Sequence, residues 1–147
     1  MRKVIIYAII VLTLGTTTTL HAGNDRPITV DQLPQRSQQF IKQHFPEEKI
    51  AYAKTERDLL KTKYEVVFTS GSKIEFRKDG EWKEVDCKYA KVPIAIIPVK
   101  IMEFVTANYE GAAIVGIDRD NRDYEVNLTN GLELTFDLRF NLIDIDD

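Results

Sequence analysis

The chain has 147 residues, 44% of them hydrophobic and 29% charged, with a formal net charge of −3. A mildly acidic chain without basic clusters is ill suited to nucleic acid, where phosphate contacts supply most of the affinity, and to anionic membrane surfaces for the same reason. Its single cysteine, Cys87, excludes an intramolecular disulfide framework.

Residues 1–22 read as an export signal. Arg2 and Lys3 give a short positive start, and Val4 to Leu14 is an apolar run broken only by Thr13. A Thr-rich stretch then leads to Leu20-His21-Ala22, a cleavage site before Gly23. The apolar run is about half the length needed to cross a bilayer, so a cleaved leader is favoured over an anchor. No cysteine follows the inferred cut, which argues against a lipid anchor. Without Arg2 and Lys3 the chain keeps 18 basic residues against 23 acidic ones, a formal charge of −5. The expected location is the periplasm or the medium, with no membrane insertion after cleavage. The remaining chain is of single-domain size and can bury a core without disulfides.

Gly23 to Thr29 reads as a loose polar tail. Asp31 is placed to cap a first helix, with Pro34 in its first turn, and Leu33, Phe40, Ile41, His44 and Phe45 form an apolar stripe at helical spacing. A period of two then takes over. A short strand around residues 50–54 precedes Tyr64, Val66 and Phe68, which are followed by Ile74 and Phe76 across a Ser70-Gly71 turn. Asp79-Gly80 marks a further turn before Trp82, Val85 and Cys87. The link from Asp86 to Ile96 is too short and apolar for a flexible tether. A second helix follows Pro98, with Ile97, Ile101, Phe104, Val105 and Tyr109 on one stripe. A short strand around residues 114–118 precedes Tyr124, Val126 and Leu128, then an Asn130-Gly131 hairpin signal, then Leu132, Leu134, Phe136 and Leu138. Arg139-Phe140 stands where the first half has Asp79-Gly80, so the last turn is expected to differ.

The two halves repeat each other. Pro34, Phe40, Phe45 and Ile50 recur as Pro98, Phe104, Tyr109 and Ile114, at an offset of 64. Tyr64-Glu65-Val66, Gly71, Ile74, Phe76, Trp82 and Val85 recur as Tyr124-Glu125-Val126, Gly131, Leu134, Phe136, Leu142 and Ile145, at an offset of 60. Such self-similarity predicts two copies of one supersecondary unit. The expected fold is α+β: tandem repeats over residues 30–87 and 94–146, each a helix followed by a four-stranded antiparallel meander, docked as one body. The helices are expected on one face of the sheet, and the pattern fits one continuous sheet or two.

The early-proline helix, the Tyr-Glu-Val strand, the Gly turn, the alternating apolar strand and the Asp-Gly-Glu-Trp turn resemble the PepSY-like family of exported Bacteroidetes proteins. The resemblance extends over about residues 30–146 and implies an architecture similar to β-lactamase-inhibitory proteins, whose concave sheet face binds a partner enzyme. For related PepSY domains it implies peptidase inhibition or periplasmic regulation. Leu142 departs from the pattern, since it stands where the first half has Trp82. The resemblance carries over no catalytic or ligand residue.

Catalysis is disfavoured. After the leader the only histidine is His44, placed on the helix stripe, and nucleophilic chemistry needs a nucleophile beside a base. Cys87 reads as a buried strand residue, with an intermolecular disulfide as the alternative should it be exposed. Residues 118–123 look faintly like a calcium loop but lack the glycine and the distal glutamate of an EF-hand, and fit a hairpin turn. The carboxylate pairs Glu65 with Glu75 and Glu125 with Glu133 sit on a strand face with no cleft to raise a pKa, as glycosidase chemistry requires. No cofactor or metal is expected.

The expected activity is non-catalytic binding through the open sheet face, inhibitor-like, with an envelope protein or peptide as partner. By parity, Trp82 falls on that face as an anchor inside a charged surround of Glu65, Lys73, Glu75 and Arg77. The rival role for Trp82 is cover for the seam between the units. The alternative function is an envelope stress or structural protein without a dedicated partner.

Overall fold

The computed structural model describes residues 24–147; the export signal expected over residues 1–22 lies outside them. Nine strands and two helices follow in the order β1 (Asp25–Ile28), α1 (Gln35–His44), β2 (Ile50–Arg57), β3 (Thr62–Phe68), β4 (Lys73–Arg77), β5 (Trp82–Asp86), α2 (Val99–Asn108), β6 (Ile114–Arg119), β7 (Asp123–Leu128), β8 (Glu133–Asp137) and β9 (Leu142–Asp146). The strands form one antiparallel sheet in which spatial order equals chain order. This is an α+β fold with a single continuous sheet.

Each helix begins after a proline for a stated steric reason. Leu33 and Ile97 precede Pro34 and Pro98 and are held extended, at ψ 151° and 128°, because a following proline ring disfavours the helical region. The short 3-10 turns at Val30–Gln32 and Ile94–Ile96 therefore stop, and the α-helices start afresh at Gln35 and Val99. This corrects the expected capping. Asp31 lies in the 3-10 turn and Pro34 stands just outside α1, whose start has no side-chain cap.

Both helices pack on the same face of the sheet. The row Val66, Ile74, Val85, Ile117, Val126 and Leu134 crosses six strands through paired positions and is essentially fully buried. Two residues along, Phe76 meets Phe40 of α1 edge-on at 5.7 Å, and Phe136 meets Phe104 of α2 edge-on at 5.3 Å. Ile41 and Ile101 complete the helix contacts with the core. Burying such side chains contributes roughly 1.5–3 kcal/mol each, which outweighs the weak helix propensity of two ten-residue helices.

The halves are joined by backbone. β5 pairs antiparallel with β6, with Val85 opposite Ile117. Beyond β5, Cys87 N–H donates to the Val115 carbonyl and Val92 N–H to the Ile114 carbonyl, so the link follows β6 before turning into α2.

Three further expectations are corrected. The tail before Thr29 is not loose, because Asp25–Ile28 forms edge strand β1 on β2. The opening strands run longer than expected, to Arg57 and Arg119. The turn at Arg139-Phe140 matches the one at Asp79-Gly80. Phe140 adopts a left-handed φ of 67° where Gly80 has 87°, and each N–H donates to the carbonyl three residues back at 2.9 Å. The Asp137 carboxylate accepts from the Arg139 and Asn141 amides, and the Phe140 ring packs 5.4 Å from Tyr124, which together hold an unfavourable conformation in place.

Gly80 fixes α1 onto the β4–β5 turn. A Cβ there would stand 2.8 Å from Pro34 Cβ, and the fully buried Ser37 hydroxyl donates to the Gly80 carbonyl at 3.0 Å.

Candidate functional site

With both helices on one side, the opposite face of the sheet is the candidate site. Glu65, Lys73, Glu75 and Arg77 lie there, as alternation predicts, but half-buried rather than fully solvated. Ion pairs across neighbouring strands explain this. Lys54 Nζ sits 2.7 Å from Asp25 and 3.5 Å from Glu65, and Lys63 Nζ sits 3.1 Å from Glu56 and 3.3 Å from Glu75. Lys73 meets Glu84 at 3.5 Å, and Lys83 meets Asp118 at 2.8 Å. The hydrogen bond it donates to Asp25 holds the Lys54 ammonium above its ordinary pKa. These are partly exposed pairs, so each contributes little stability, about 0–1 kcal/mol; their larger effect is to order the face.

Trp82 is not part of this face. Its side chain is buried on the helix side, stacked near Phe40 with ring centroids 6.3 Å apart. Parity counting fails because β5 bulges against β4. Ile74 pairs with Val85 and Glu75 with Glu84, but Phe76 pairs with Trp82, leaving Lys83 as the extra residue. Trp82 thus returns to the side of Val85. Its ring lies at the seam of the halves, beneath Arg119 of β6.

The face changes character along the sheet. Strands β7, β8 and β9 contain no Lys, Arg or His, and Arg119 of β6 points to the helix side, where it meets Trp82. Asp123, Glu125, Glu133, Asp137, Asp144 and Asp146 therefore make an acidic field on the open side, bordered by Asp118, which Lys83 pairs. At its start a shallow depression of about 360 Å³ lies over Gly116, lined by Glu84, Asp86, Asp118, Glu125 and Glu133. Partial burial, then repulsion from Glu133 and Asp118, pushes the Glu125 carboxyl above its ordinary range. Among the described residues no three metal-ligating side chains converge as a metal site would require.

At the other end of the face, a larger cavity of about 850 Å³ opens between three turns: residues 58–61, 78–81 and 120–122. Arg77, Lys61, Lys78 and Arg122 line it, with Leu60 at its rim. Nothing in the linear sequence marks this cavity, because its walls come from three separate hairpins.

The remaining candidates have structural roles. His44 packs against Phe40 with the rings tilted and their centroids 4.6 Å apart, and partial burial lowers its pKa. Cys87 is 4% exposed, and burial pushes its thiol up to about 11. Residues 120–122 form a hairpin turn, in which the Asp120 carboxylate accepts from the Arg122 and Asp123 amides.

Residues 62–144 match the family model described as "Putative beta-lactamase-inhibitor-like, PepSY-like". The chain belongs to the PepSY-like family. Solved structures from Bacteroides are similar to this chain. A "putative calcium-regulated periplasmic protein" from Bacteroides thetaiotaomicron is 58% identical, with TM-score 0.82, over 84% of this chain and 97% of that one. A "putative periplasmic protein" from Bacteroides vulgatus is 52% identical, with TM-score 0.83, over 86% and 99%. A further one from the same organism is 39% identical, with TM-score 0.80, over 84% and 99%. No curated protein matches the chain. Among the described residues no helix is long and apolar enough to cross a membrane.

Proposed function

We propose that this PepSY-like chain is an exported periplasmic protein, built as a tandem of two helix-plus-four-strand units, that acts by binding and not by catalysis. The docking surface is the open sheet face, inhibitor-like in use, and the partner is an envelope protein or peptide. The observation that carries this is the charge division of an uncovered nine-stranded face: compensated ion pairs from β1 to Asp118 of β6, then an acidic field over β7–β9, whose strands have no basic side chain. A field of one sign on an ordered scaffold selects a partner of the other sign and speeds its encounter. Glu65, Lys73, Glu75 and Arg77 form the polar border of the contact. The tandem reading is supported by equivalent bulges at residues 50/52 and 114/116, and at 75/76 and 135/136. Export is supported by the leader-like residues 1–22 and by relatives described as periplasmic.

The test is capture from envelope extract with residues 24–147 as bait. The wild type and Lys100→Glu, an exposed α2 variant, should retain a partner that Glu125→Lys/Glu133→Lys loses. Equal recovery on all three baits would sink the open-face reading in favour of an envelope stress or structural role.

A second reading has one observation behind it. The carboxylates crowding Glu125 do not converge as a chelating site, but a divalent cation held over the face would relieve their repulsion, and one relative is described as calcium-regulated. A melting temperature raised by calcium over EDTA in the wild type, and unmoved in Glu125→Gln/Glu133→Gln, supports it. No shift in either protein removes it.

A further inference from the structure

The cavity between the three turns has a charge balance unlike the rest of the open face. Four acids reach it, and each is already engaged. Glu56 and Glu75 share the Lys63 ammonium, Asp58 accepts from the Leu59 amide at 2.7 Å, and Asp120 accepts from turn amides at 2.6 and 3.3 Å. Of the six cations that line it, Lys63 and Lys83 are paired, with these two glutamates and with Asp118, and the other four are not so engaged. Among the described residues Arg77, Lys61 and Lys78 have no carboxylate partner, and Arg122 only approaches Asp120 at 3.9 Å. Arg77 is half-buried and spends one N–H on the Arg119 carbonyl at 2.7 Å, which holds the guanidinium in place and leaves its other donors for a ligand. A held, partly desolvated arginine is the side chain best fitted to a carboxylate, through paired hydrogen bonds.

Beside these cations stands an apolar rim. Leu59 and Leu60 are adjacent at the tip of the β2–β3 hairpin and are 100% and 92% exposed. An isolated exposed leucine means little, but two at one tip, with Leu60 lining a cavity of about 850 Å³ and Leu59 next to it in the chain, form a contact surface. The volume falls within the range of ligand clefts, roughly 300–1,000 Å³.

We propose that this cavity binds an acidic peptide segment, its carboxylate on Arg77 with Lys61, Lys78 and Arg122 around it, and an aliphatic neighbour of that carboxylate packed on Leu59 and Leu60. The proposal rests on the open-face reading and names one element the partner presents there. Its concavity favours a peptide segment over a flat bilayer, which would meet the leucine tip but not the Arg77 guanidinium.

The experiment is calorimetric titration, at low salt, of a blocked hexapeptide alternating leucine with glutamate, against its glutamine counterpart. The glutamate peptide should bind saturably and the glutamine one at least tenfold more weakly. Arg77→Gln should weaken binding by roughly tenfold or more. Lys61→Gln/Lys78→Gln, on exposed turns where folding is not at stake, should weaken it in the same direction. Leu59→Ser/Leu60→Ser should also reduce it. Equal binding of both peptides, no saturable binding, or unaltered affinity in the charge variants would overturn the proposal. So would co-sedimentation with phosphatidylglycerol vesicles that needs the two leucines while the peptide fails to bind. Because the capture experiment reads Glu125 and Glu133 at the opposite end of the face, a failed cavity with a surviving partner is distinguishable from failure of the whole face.

Discussion

The Arg119 guanidinium lies 3.9 Å from the centroid of the Trp82 ring, and its Nε donates to the Trp82 carbonyl at 2.8 Å. Its Nη2 also reaches Glu81 at 2.7 Å, and Glu81 in turn accepts from Arg36 of α1 at 2.6 Å. One side chain from β6 thus ties together β5, the turn before it and the first helix.

Arg119→Met should therefore destabilise the protein by about 2 kcal/mol, from a charged hydrogen bond to the backbone and the stacked cation. Trp82→Ala should be costlier, about 3–5 kcal/mol, because it empties a core position. Urea unfolding followed by far-UV circular dichroism measures both. A Trp82→Ala protein as stable as the wild type would contradict its burial.

Gly80→Ala and Gly111→Ala separate backbone strain from steric overlap. Both glycines have positive φ, 87° and 80°, but only Gly80 is crowded, with nothing within 4 Å of a Cβ at Gly111. Gly111→Ala should lose about 1 kcal/mol from conformation alone. Gly80→Ala should lose at least 1 kcal/mol or so more, as α1 is pushed off the turn. Equal midpoints for the two variants in one denaturant series would remove the special role of Gly80.

Glu125 should make stability fall as pH rises. Its folded pKa is raised above the ordinary 4.5, so the folded chain holds this proton longer than the unfolded chain does. Its contribution is most favourable below the ordinary value and is lost as pH climbs through it to the raised folded pKa. Glu125→Gln cannot ionise, so its melting temperature should match the wild type in mild acid and exceed it near neutrality. A constant difference across that range would show that the carboxyl is not perturbed.

Cys87 should be inert in the folded protein. A thiol buried in the core, with its pKa pushed up to about 11, offers almost no thiolate at neutral pH. Iodoacetamide should label it only after denaturant is added, and non-reducing electrophoresis should show no disulfide-linked dimer. Labelling at the rate of a free thiol under native conditions would place Cys87 at the surface.

Side-chain periodicity made most strands, both helices and the charged positions Glu65, Lys73, Glu75 and Arg77 readable, because burial on one face imposes alternation. Three features were not readable, each because it depends on a partner distant in sequence or on local register. Strand β1, Asp-Arg-Pro-Ile, has no apolar pattern and forms only because β2 presents an edge to it. Counting by two puts Trp82 on the wrong side of the sheet, because one bulged residue, Lys83, reverses parity. Phe140 hid a left-handed turn, since only the Asp137 carboxylate and the Tyr124 ring make that conformation tolerable. The acidic field was partly visible as Glu125 and Glu133, whereas the cavity needed three turns brought together.

Because spatial strand order equals chain order, each strand of this sheet pairs with the strand synthesised immediately before it. No early strand waits for a distant late one, so contact order is low for a protein dominated by β structure. Loop closure is correspondingly cheap at every step but two, the passages through α1 between β1 and β2 and through α2 between β5 and β6. A chain that emerges N-terminus first can therefore extend its sheet one strand at a time, leaving only the β1 edge and the newest strand unpaired at any moment.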